Sequence, residues 1–383
     1  MAVGKGAVAR LGLKGLRDLV PPRPLRVGFP PQLLDYPAAT GVGKMWQRVL
    51  GELAADVDLV AADPRAPRAR RPSRARAGIE VWLHDGHQGP LPVNGPVVAE
   101  LHEASWHLPE TRRFMDEDFV ATYERPSAAA ATAATRIVTL SESSRRQITD
   151  AYGVAPERVI VAPLGVDHTV FHPGAGDPRP LIAAAGGDPA RPYVLFVSQL
   201  HPRKNLEALR EAMALLAGRG QPHQLVIVGG PPVDRAESAE LVRGATAELR
   251  AAPGRVVYLS QLDEPDVARL MTGAAAFCLP SFMEGFGLTV LEAMACAAPV
   301  VVSDRGPLPE VVGDAGVVTA PDPRALAVAL ESVLADPVRA TALRRASVAR
   351  SARFTWKATA AHWRRAIDEA ARAGNAPSRS ERA

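Results

Sequence analysis

Two glutamates eight positions apart, Glu284 and Glu292, flank a glycine-rich turn. The apolar run 274–279 before them is strand-like and the run 288–296 favours a helix, which predicts Glu284 in a strand-to-helix loop and Glu292 on the helix. If all eight residues were helical, the carboxylates would stand about 80° apart around the axis and roughly 12 Å apart along it. That separation suits two ends of one long ligand and is too long for a catalytic carboxylate pair.

The turn between the two glutamates predicts an anion site. It contains Gly285 and Gly287 and leads into a helix N-terminus, where free N–H groups and the helix dipole attract negative charge. A nucleotide sugar, with phosphate in the middle and hydroxyls at both ends, would fit. A helix that merely carries two surface glutamates is the alternative, and the glycine turn and the preceding strand favour the ligand site over it.

A second segment, 193–205, predicts a strand, a short loop and a helix. Arg203 and Lys204 stand at the entrance of that helix. Paired cations at the carboxyl end of a strand bind a diphosphate and stabilise negative charge on a leaving group. As plain surface cations they would oppose the helix dipole, so phosphate binding is the favoured interpretation.

These two segments resemble the Glu-x7-Glu and Pro-Arg-Lys-Asn motifs of retaining glycosyltransferases of the GT-B fold (group 1, family 4), a large family that includes bacterial mannosyltransferases. The resemblance covers about residues 25 to 370 and is dense only in the second half. The chain departs from the family at Leu164, where asparagine is usual, and at Gln199, where many relatives carry arginine.

The resemblance implies a role for each matching residue in holding a nucleotide-sugar donor. It implies that Arg203 and Lys204 take the diphosphate, and that Glu292 holds the ribose hydroxyls. Thr289 replaces a frequent proline, and either softens the first helical turn or adds a hydroxyl near the phosphate. The donor sugar is implied to be oriented by Glu284 and by the backbone of Phe286, Gly287 and Leu288.

Two further matches lie in the first half of the chain. The segment 41–44, with glycines at 41 and 43, is too short for a Rossmann fingerprint because Trp46 occupies the third glycine's place. It resembles the family's glycine loop, which implies that Gly43 lets the first domain close on the donor. His102 ends a predicted strand and resembles the family's strand-end His-Asp pair, with Glu103 in place of the aspartate. That match implies a contact with the donor sugar or the acceptor, against the alternative of a structural histidine.

The chemistry-bearing residues before His102 give weaker signals. His84, Asp85 and His87 could line the acceptor side or suggest a metal, but two loop histidines without a further ligand are weak evidence. The Asp-x-Asp pattern at 56–58 leads into an apolar strand and is interpreted as chance. The resemblance implies that no metal is required for the chemistry, and no cofactor is expected, since the nucleotide sugar is a substrate.

Apolar strand-like runs alternate with helical patterns along nearly the whole chain, which predicts parallel sheets covered on both faces. The fold class is thus α/β, with two doubly wound Rossmann-like domains (GT-B) and a cleft between them. The predicted strands are 25–29, 57–61, 79–83, 96–101, 136–140, 158–162, 193–199, 224–229, 255–259, 274–279, 299–303 and 316–319. Predicted helices include 44–53, 205–216, 236–251 and 324–335.

The density of Gly, Pro and Asp in 173–191 predicts a linker between the domains. A last helix is expected from Thr355-Trp356, with Thr355 as its N-cap, and in the resembled fold this helix returns to the first domain. The predicted division is a basic arm 1–24, an acceptor-facing domain 25–172, the linker, a nucleotide-sugar-binding domain 192–353, the helix 354–374 and a disordered tail 375–383.

The 383-residue chain carries a net charge of +4, and its basic residues concentrate in two segments. Six arginines within 65–76 would begin a nucleic-acid hypothesis, but they lack interleaved aromatics, so a solvated loop is favoured and no nucleic-acid partner is expected. The arm 1–20 is interpreted as a leader rather than an amphipathic helix on an anionic membrane. Cys278 and Cys296 are predicted to be buried and reduced, and the location is expected to be cytoplasmic, with peripheral contact at the inner membrane face left open.

The sequence as a whole predicts an enzyme that moves a sugar from a nucleotide-sugar donor to an acceptor hydroxyl with retention of anomeric configuration. GDP-mannose is the first candidate donor, with UDP- and dTDP-sugars open. The acceptor is a saccharide, a lipid-linked molecule or a small molecule. The alternatives are a nucleotide-sugar epimerase of the same fold and a non-catalytic nucleotide-sugar-binding protein.

Overall fold

A computed structural model of the protein describes residues 23–37, 40–64, 78–230, 256–260 and 262–374. Several sequence predictions fall outside these residues, namely the arm up to residue 22, the arginine-rich segment, the helix 236–251 and the tail from 375. Among the described residues, no helix is long and apolar enough to cross a membrane.

The first sheet has six parallel strands in the order β2-β1-β3-β4-β5-β6. Its central strands are almost completely buried because helices cover both faces, which explains their continuous apolar sequences. The strands are β1 (Arg26–Phe29), β2 (Asp58–Ala61), β3 (Val81–Asp85), β4 (Val97–Glu100), β5 (Arg136–Thr139) and β6 (Val159–Val161).

The second sheet repeats this arrangement with six parallel strands in the order β12-β11-β10-β7-β8-β9. We call the units around the two sheets the first and the second domain. The predicted fold class, two parallel sheets in an α/β protein, is confirmed. The strands are β7 (Tyr193–Val197), β8 (Gln224–Val228), β9 (Val256–Leu259), β10 (Ala276–Leu279), β11 (Val300–Ser303) and β12 (Val317–Thr319).

Helices connect most strands and place the strand-to-helix loops of each sheet at one edge. The α-helices in the described residues are α1 (Gly41–Leu53), α2 (Pro109–Arg112), α3 (Glu117–Ala133), α4 (Glu142–Tyr152), α5 (Arg179–Ala184), α6 (Leu206–Gly218), α7 (Glu264–Gly273), α8 (Leu288–Ala295), α9 (Leu308–Val312), α10 (Pro323–Leu334), α11 (Pro337–Ser351) and α12 (Trp356–Gly374). Short 3₁₀ turns occupy Pro31–Leu34, Gly86–Gln88, Ser105–His107, Pro156–Arg158, Pro202–Lys204 and Gly313–Ala315.

The glycine segment 41–44 is not a loop before the helix, as the sequence predicted, but the first turn of α1. The helix begins early because the Thr40 hydroxyl accepts a hydrogen bond from the Gly43 N–H at 3.1 Å and caps it. A Cβ at Gly43 would collide with the carbonyl oxygen of Pro37. Close backbone packing therefore accounts for this glycine, and its predicted approach to a donor stays a prediction.

Helix α5 lies within the predicted linker, where the composition did not indicate a helix. It is anchored by Ile182, which is buried at 1% exposure in the main core. The linker is therefore packed against the core by the buried side chain of Ile182.

The last helix, α12, packs on the first domain. Its Trp363 lies edge-to-face against Trp46 of α1, with ring centroids 5.1 Å apart, and Glu369 pairs with Arg136 of β5 at 2.9 Å. Thr355 caps the helix by accepting a hydrogen bond from the Ala358 N–H at 3.1 Å. Both cysteines, Cys278 and Cys296, are free and buried, in agreement with their prediction as packing residues.

Candidate active site

The two motifs of the second domain meet because β7 and β10 are adjacent parallel strands. The loop after β7 carries Arg203, and the loop after β10 carries Phe282 and Met283. The Phe282 N–H donates to the Arg203 carbonyl at 2.8 Å, and the Arg203 guanidinium donates to the Met283 carbonyl at 2.9 Å. Two loops 80 residues apart in sequence are thereby joined into one rigid rim.

Glu284 is buried in this rim and fully engaged. The Lys204 ammonium donates to both carboxylate oxygens at 2.7 Å, and the Ser281 hydroxyl donates to one of them at 2.6 Å. Burial opposes the charge on Glu284, but Lys204 and Arg203 outweigh it and lower its pKa. Burial and the neighbouring Arg203 lower the pKa of Lys204 to about 8. The pair is therefore ionised at neutral pH, with its two charges neutralising each other.

Arg203 keeps hydrogen-bond donors for a ligand, whereas the Lys204 ammonium is engaged with Glu284. Its guanidinium is 29% exposed and lies 3.9 Å from the Glu284 carboxylate, too far for a strong hydrogen bond. Asn205, the last residue of the Pro-Arg-Lys-Asn motif, adopts a left-handed backbone at φ 58°. Its amide donates to the carbonyls of Pro280 at 3.1 Å and Pro321 at 2.8 Å, so it fixes the loops while Arg203 faces the cleft.

The glycine turn after Glu284 leads directly into α8, as predicted. Gly287 has φ +99°, and a Cβ there would lie 2.6 Å from Leu308, so only glycine fits. A Cβ at Gly285 would lie in ordinary van der Waals contact, 3.9 Å from His102 and Glu103 of the first domain. Phe286 is buried, while Leu288 and Thr289 form the partly buried first turn of α8. The first-turn N–H groups of α8 are consistent with an anion site.

Glu292 lies on α8, buried at 4% exposure, and receives a cation from the first domain. The Lys44 ammonium lies 2.8 Å from Glu292 and 2.7 Å from Glu264 of α7. Burial raises the pKa of Glu292, and for Lys44 burial is outweighed by the two carboxylates, which raise its pKa. Lys44 thus bridges the two domains across the cleft.

Beside this bridge is a cavity of about 380 Å³ between the domains. Its walls come from α1, from the segment 165–167 and from the starts of α7 and α8. Polar groups at its edge include Lys44, Gln47, Asp167 and Glu292, and Phe171 supplies an apolar surface. This mixture of one apolar surface with a few convergent polar groups is typical of a small-molecule site.

His102 lies on the opposite wall, at the end of β4. Its Nδ1 is 3.4 Å from the carboxylate of Glu100, and its backbone N–H donates to Nε2 of His87 at 3.3 Å. Burial would lower the pKa of His102, but Glu100 and other nearby carboxylates outweigh it and raise the pKa to about 9. His102 faces Gly285 across the cleft, which agrees with a place near the donor sugar or acceptor.

Three potential metal ligands, His87, Glu100 and His102, lie within 4.8 Å of one another, a cluster that the sequence analysis did not assemble. His84 lies apart, with Nε2 at 2.6 Å from the Gly89 carbonyl. The Asp85 carboxylate accepts hydrogen bonds from Tyr36 and from the His87 N–H, so it fixes the loop after β3.

Two more contacts join the domains near the site. The Glu310 carboxylate of α9 accepts hydrogen bonds from the backbone N–H groups of Glu142 and Ser143 at the start of α4, at 2.9 and 2.7 Å. This is an anion at a helix N-terminus. Phe114 stacks on Phe282, with ring centroids 5.2 Å apart. The start of α4 in the first domain and α9 in the second domain therefore meet across the cleft.

Sequence reasoning missed Lys44, Ser281 and Glu100 as site residues. Lys44 stood inside the quoted glycine segment, and Ser281 stood three residues before Glu284, so a local signal existed for both. Glu100 precedes His102 by two residues and therefore projects on the same side of the chain. The partners of Lys44, which are Glu264 and Glu292, could not be named before the domains were placed together.

Comparison with known proteins identifies the family to which this chain is similar. The family model for glycosyl transferases group 1 matches residues 181–351. A D-inositol 3-phosphate glycosyltransferase of Acidothermus cellulolyticus is 36% identical over 236 residues, which are 59% of this chain and 51% of the relative. The O-antigen chain mannosyltransferase B of Escherichia coli is 31% identical over 297 residues, covering 75% of this chain and 74% of the relative. The chain spans about half the length of the inositol-phosphate relatives that it matches.

Solved structures share the fold. Sucrose-phosphate synthase from Thermosynechococcus elongatus superposes with a TM-score of 0.70 at 22% identity, covering 90% of this chain and 98% of that one. Anabaena HepE in complex with UDP and glucose gives a TM-score of 0.65 at 17% identity, covering 90% and 99%. The two-domain architecture is therefore the GT-B fold. Together with the mannosyltransferase match, it shows that the chain belongs to the group 1 glycosyltransferases.

Proposed function

We propose that this protein transfers a sugar from a nucleotide-sugar donor to an acceptor hydroxyl, with retention of anomeric configuration. The observation that carries the proposal is the rim of the second domain, where the buried Lys204–Glu284 pair, the partly exposed Arg203 and the first turn of α8 converge. A cavity lined by Leu288 and Glu292 lies beside the first half of α8. The rim and the cavity together offer surfaces for the sugar, the diphosphate and the nucleoside.

The proposed chemistry follows from the charged groups of the rim and the cavity. The Arg203 guanidinium and the α8 N-terminus are placed to bind the diphosphate and to stabilise it as it leaves. Lys204 holds Glu284 in one position, so that the carboxylate and the backbone at Phe286 and Gly287 orient the sugar. Glu292 takes the ribose hydroxyls once Lys44 has moved off it. Closure of the first domain over Gly285 excludes water and so favours transfer over hydrolysis.

GDP-mannose is the donor that we propose first. The mannosyltransferase relative and the Pro-Arg-Lys-Asn motif support mannose, whereas the Anabaena structure with UDP and glucose makes UDP-sugars the chief competitors. For the acceptor, the names of the relatives point to two classes, a phosphorylated inositol and a saccharide chain.

The proposal is tested first by binding. Purified protein is titrated calorimetrically with GDP, UDP and dTDP, alongside Glu292→Ala and Arg203→Ala variants whose folding is checked by circular dichroism. We expect one nucleotide to bind, and both substitutions to weaken it more than tenfold, which corresponds to about 1.4 kcal/mol. Equal binding of that nucleotide to both variants would place its site elsewhere.

The reaction is then tested with the sugar of the nucleotide that binds. Inositol phosphate and mannose oligosaccharides serve as acceptors, and the anomeric proton coupling in the product reports its configuration. Retention is the expected result. Inversion would contradict the proposed mechanism, and interconversion of the donor sugar without transfer would favour the epimerase alternative.

A further inference from the structure

Glu100, the last residue of β4, is a buried carboxylate that the proposed function does not use. It has no exposed surface, and its Oε1 has no hydrogen-bond partner among the described atoms. Its Oε2 lies 3.4 Å from Nδ1 of His102. A buried ionised carboxylate is costly unless a cation accompanies it. Within the part of the chain that the structure describes, the His102 ring is the cation in contact with it.

His87 fixes the protons on this side of the cleft. Its Nε2 accepts the His102 backbone N–H at 3.3 Å, so that nitrogen carries no proton. The proton must then be on Nδ1, which donates to the Ser127 hydroxyl at 2.8 Å. Burial and the charge of His102 lower the pKa of His87, in agreement with a neutral ring. Both ring nitrogens are thus engaged, and His87 has no free lone pair for a metal ion.

The other edge of the His102 ring faces the cleft. The side chain is 27% exposed, and its Cδ2 lies 3.9 Å from the position that a Cβ at Gly285 would occupy. Nε2 has no hydrogen-bond partner within the described residues. With Nδ1 directed at Glu100, a proton on Nε2 would point into the space above the glycine turn, where the donor sugar is expected.

We propose that Glu100 is a positioning residue that keeps His102 doubly protonated, so that His102 presents a charged Nε2–H donor to a ligand oxygen in the cleft. The proposal deepens the proposed function and rests on it for the identity of the ligand. Burial also raises the pKa of Glu100, so the alternative is a proton on Glu100 beside an uncharged His102. An uncharged ring could not present a cationic donor to the ligand.

The other ionisable groups around His102 support the same protonation state. Glu103 and Asp85 of the first domain raise its pKa, as Glu100 does most strongly, whereas burial lowers it. His87 is neutral. Across the cleft stands the Lys204–Glu284 pair, whose charges cancel.

The direct test is a histidine NMR titration of the full-length protein, which needs no donor and no activity. His102 is identified among the nine histidines by the signal lost in His102→Gln. We expect it to titrate near pH 9 in the wild type and at least one pH unit lower in Glu100→Gln. Glu103→Gln, which removes a neighbouring carboxylate, is the matched control and should shift the titration less.

A wild-type His102 that titrates at or below its ordinary value of about 6.5 overturns the proposal without any variant. So does an unchanged titration in Glu100→Gln. If Glu100→Gln does not fold, Glu100→Asp keeps the charge at a longer distance and should give an intermediate shift. A stoichiometric metal ion in the purified protein, lost in Glu100→Gln, would instead make the cluster a metal site and overturn the assignment.

The pH dependence of turnover then distinguishes a failure of this proposal from a failure of the proposed function. With the donor found by binding, the rate should fall as pH rises through the His102 titration, and should fall at lower pH in Glu100→Gln, with partial recovery in Glu100→Asp. A pH profile that Glu100→Gln leaves unmoved overturns the role of Glu100 in the reaction. A shifted titration in a protein that transfers no sugar would overturn the proposed function and leave the proton assignment supported.

Discussion

Two lysine–glutamate pairs among the described residues of the cleft differ in where their partners come from. Lys204 and Glu284 both belong to the second domain, and the side chain of each is 9% exposed. Lys44 and Glu292 come from different domains, 248 residues apart in sequence, and Lys44 divides its charge between Glu292 and Glu264. Adjacent strands fix the first pair, whereas the second pair requires the domains to be closed.

One half of the candidate site is therefore complete before the domains close. The rim around Glu284, which we propose for the sugar diphosphate, is held together within the second domain whatever the angle between the domains. Glu292, the proposed ribose ligand, is engaged by Lys44 and becomes available only when Lys44 leaves it. Under the proposed function, a nucleotide therefore competes with Lys44 at Glu292.

The largest expected effect concerns the stability of the two pairs. Removing one partner of a buried pair leaves an uncompensated charge and costs about 3–5 kcal/mol, so Lys204→Met should lower the free energy of unfolding by about this amount. Lys44→Met should cost much less, because Glu292 gains access to water when the domains open. Urea unfolding measures both. Equal losses of unfolding free energy in the two variants would show that the contact between the domains is as stable as the packing within the second domain.

The second prediction compares two glycines of the turn. Gly287→Ala places a side chain at φ +99° and against Leu308, and the left-handed backbone alone costs about 1–2 kcal/mol. Gly285→Ala places its methyl group in ordinary van der Waals contact, 3.9 Å from His102 and Glu103, so its stability should change by less than about 0.5 kcal/mol. Its methyl group faces His102, and sugar transfer should therefore fall. Thermal unfolding and turnover are measured on both variants.

The reverse pattern in this pair, a stable Gly287→Ala and an unstable Gly285→Ala, would contradict the rigid-rim description. Full activity in Gly285→Ala would show that the donor sugar does not lie beside His102. The two substitutions add the same group two residues apart, so each is the control for the other.

The third prediction is a pH dependence of nucleotide binding at the prebuilt rim. The pKa of Lys204 is lowered to about 8, so its cation is present below pH 8 and is lost as pH rises through 8. The protonated fraction then falls about tenfold between pH 7 and pH 9. Loss of this proton leaves the Glu284 carboxylate uncompensated beside the proposed diphosphate site, so diphosphate affinity should fall. Calorimetry across this range measures the effect. His102→Gln should keep the dependence, and a flat profile would show that Lys204 does not contribute charge to binding.

The smallest expected effect is a gain in affinity across the cleft. Lys44→Met removes the cation that occupies Glu292, and the pair is partly exposed, so nucleoside diphosphate should bind about fivefold more tightly, which corresponds to about 1 kcal/mol. Glu264→Gln, which loosens Lys44 without touching Glu292, should give a smaller change in the same direction. Weaker binding in Lys44→Met would show that Lys44 contacts the nucleotide itself.

Much of the fold could be predicted because its signals are local. Each predicted strand overlaps an observed one, since the continuous apolar runs follow from burial on both faces of the sheets. The helix at α8 and the cap at Thr355 also follow from local patterns. The start of α1 was wrong because two glycines suggested a turn, whereas the Thr40 cap and the packing of Gly43 on Pro37 favour helix.

The candidate site was only partly within reach of the sequence. Residues 203–204 and 284 sit in contiguous motifs, and the sequence placed them at strand ends, where parallel strands bring them together. It assigned Lys204 to the diphosphate, whereas its two short contacts to Glu284 arise from the adjacency of β7 and β10. Lys44 carried no sign of its partners, because Glu264 and Glu292 lie in the other domain.

The sequence was enough to predict the class of fold, the order of the strands and helices, and the segments that carry the chemistry. It could do so because hydrophobic periodicity, helix caps and glycine turns act over a few residues. The folded chain was needed to show that α12 packs on the first domain, that Lys44 contacts Glu292 and that Glu100 lies behind His102. Those contacts depend on how two separately packed sheets are held against each other, and no local pattern encodes that distance.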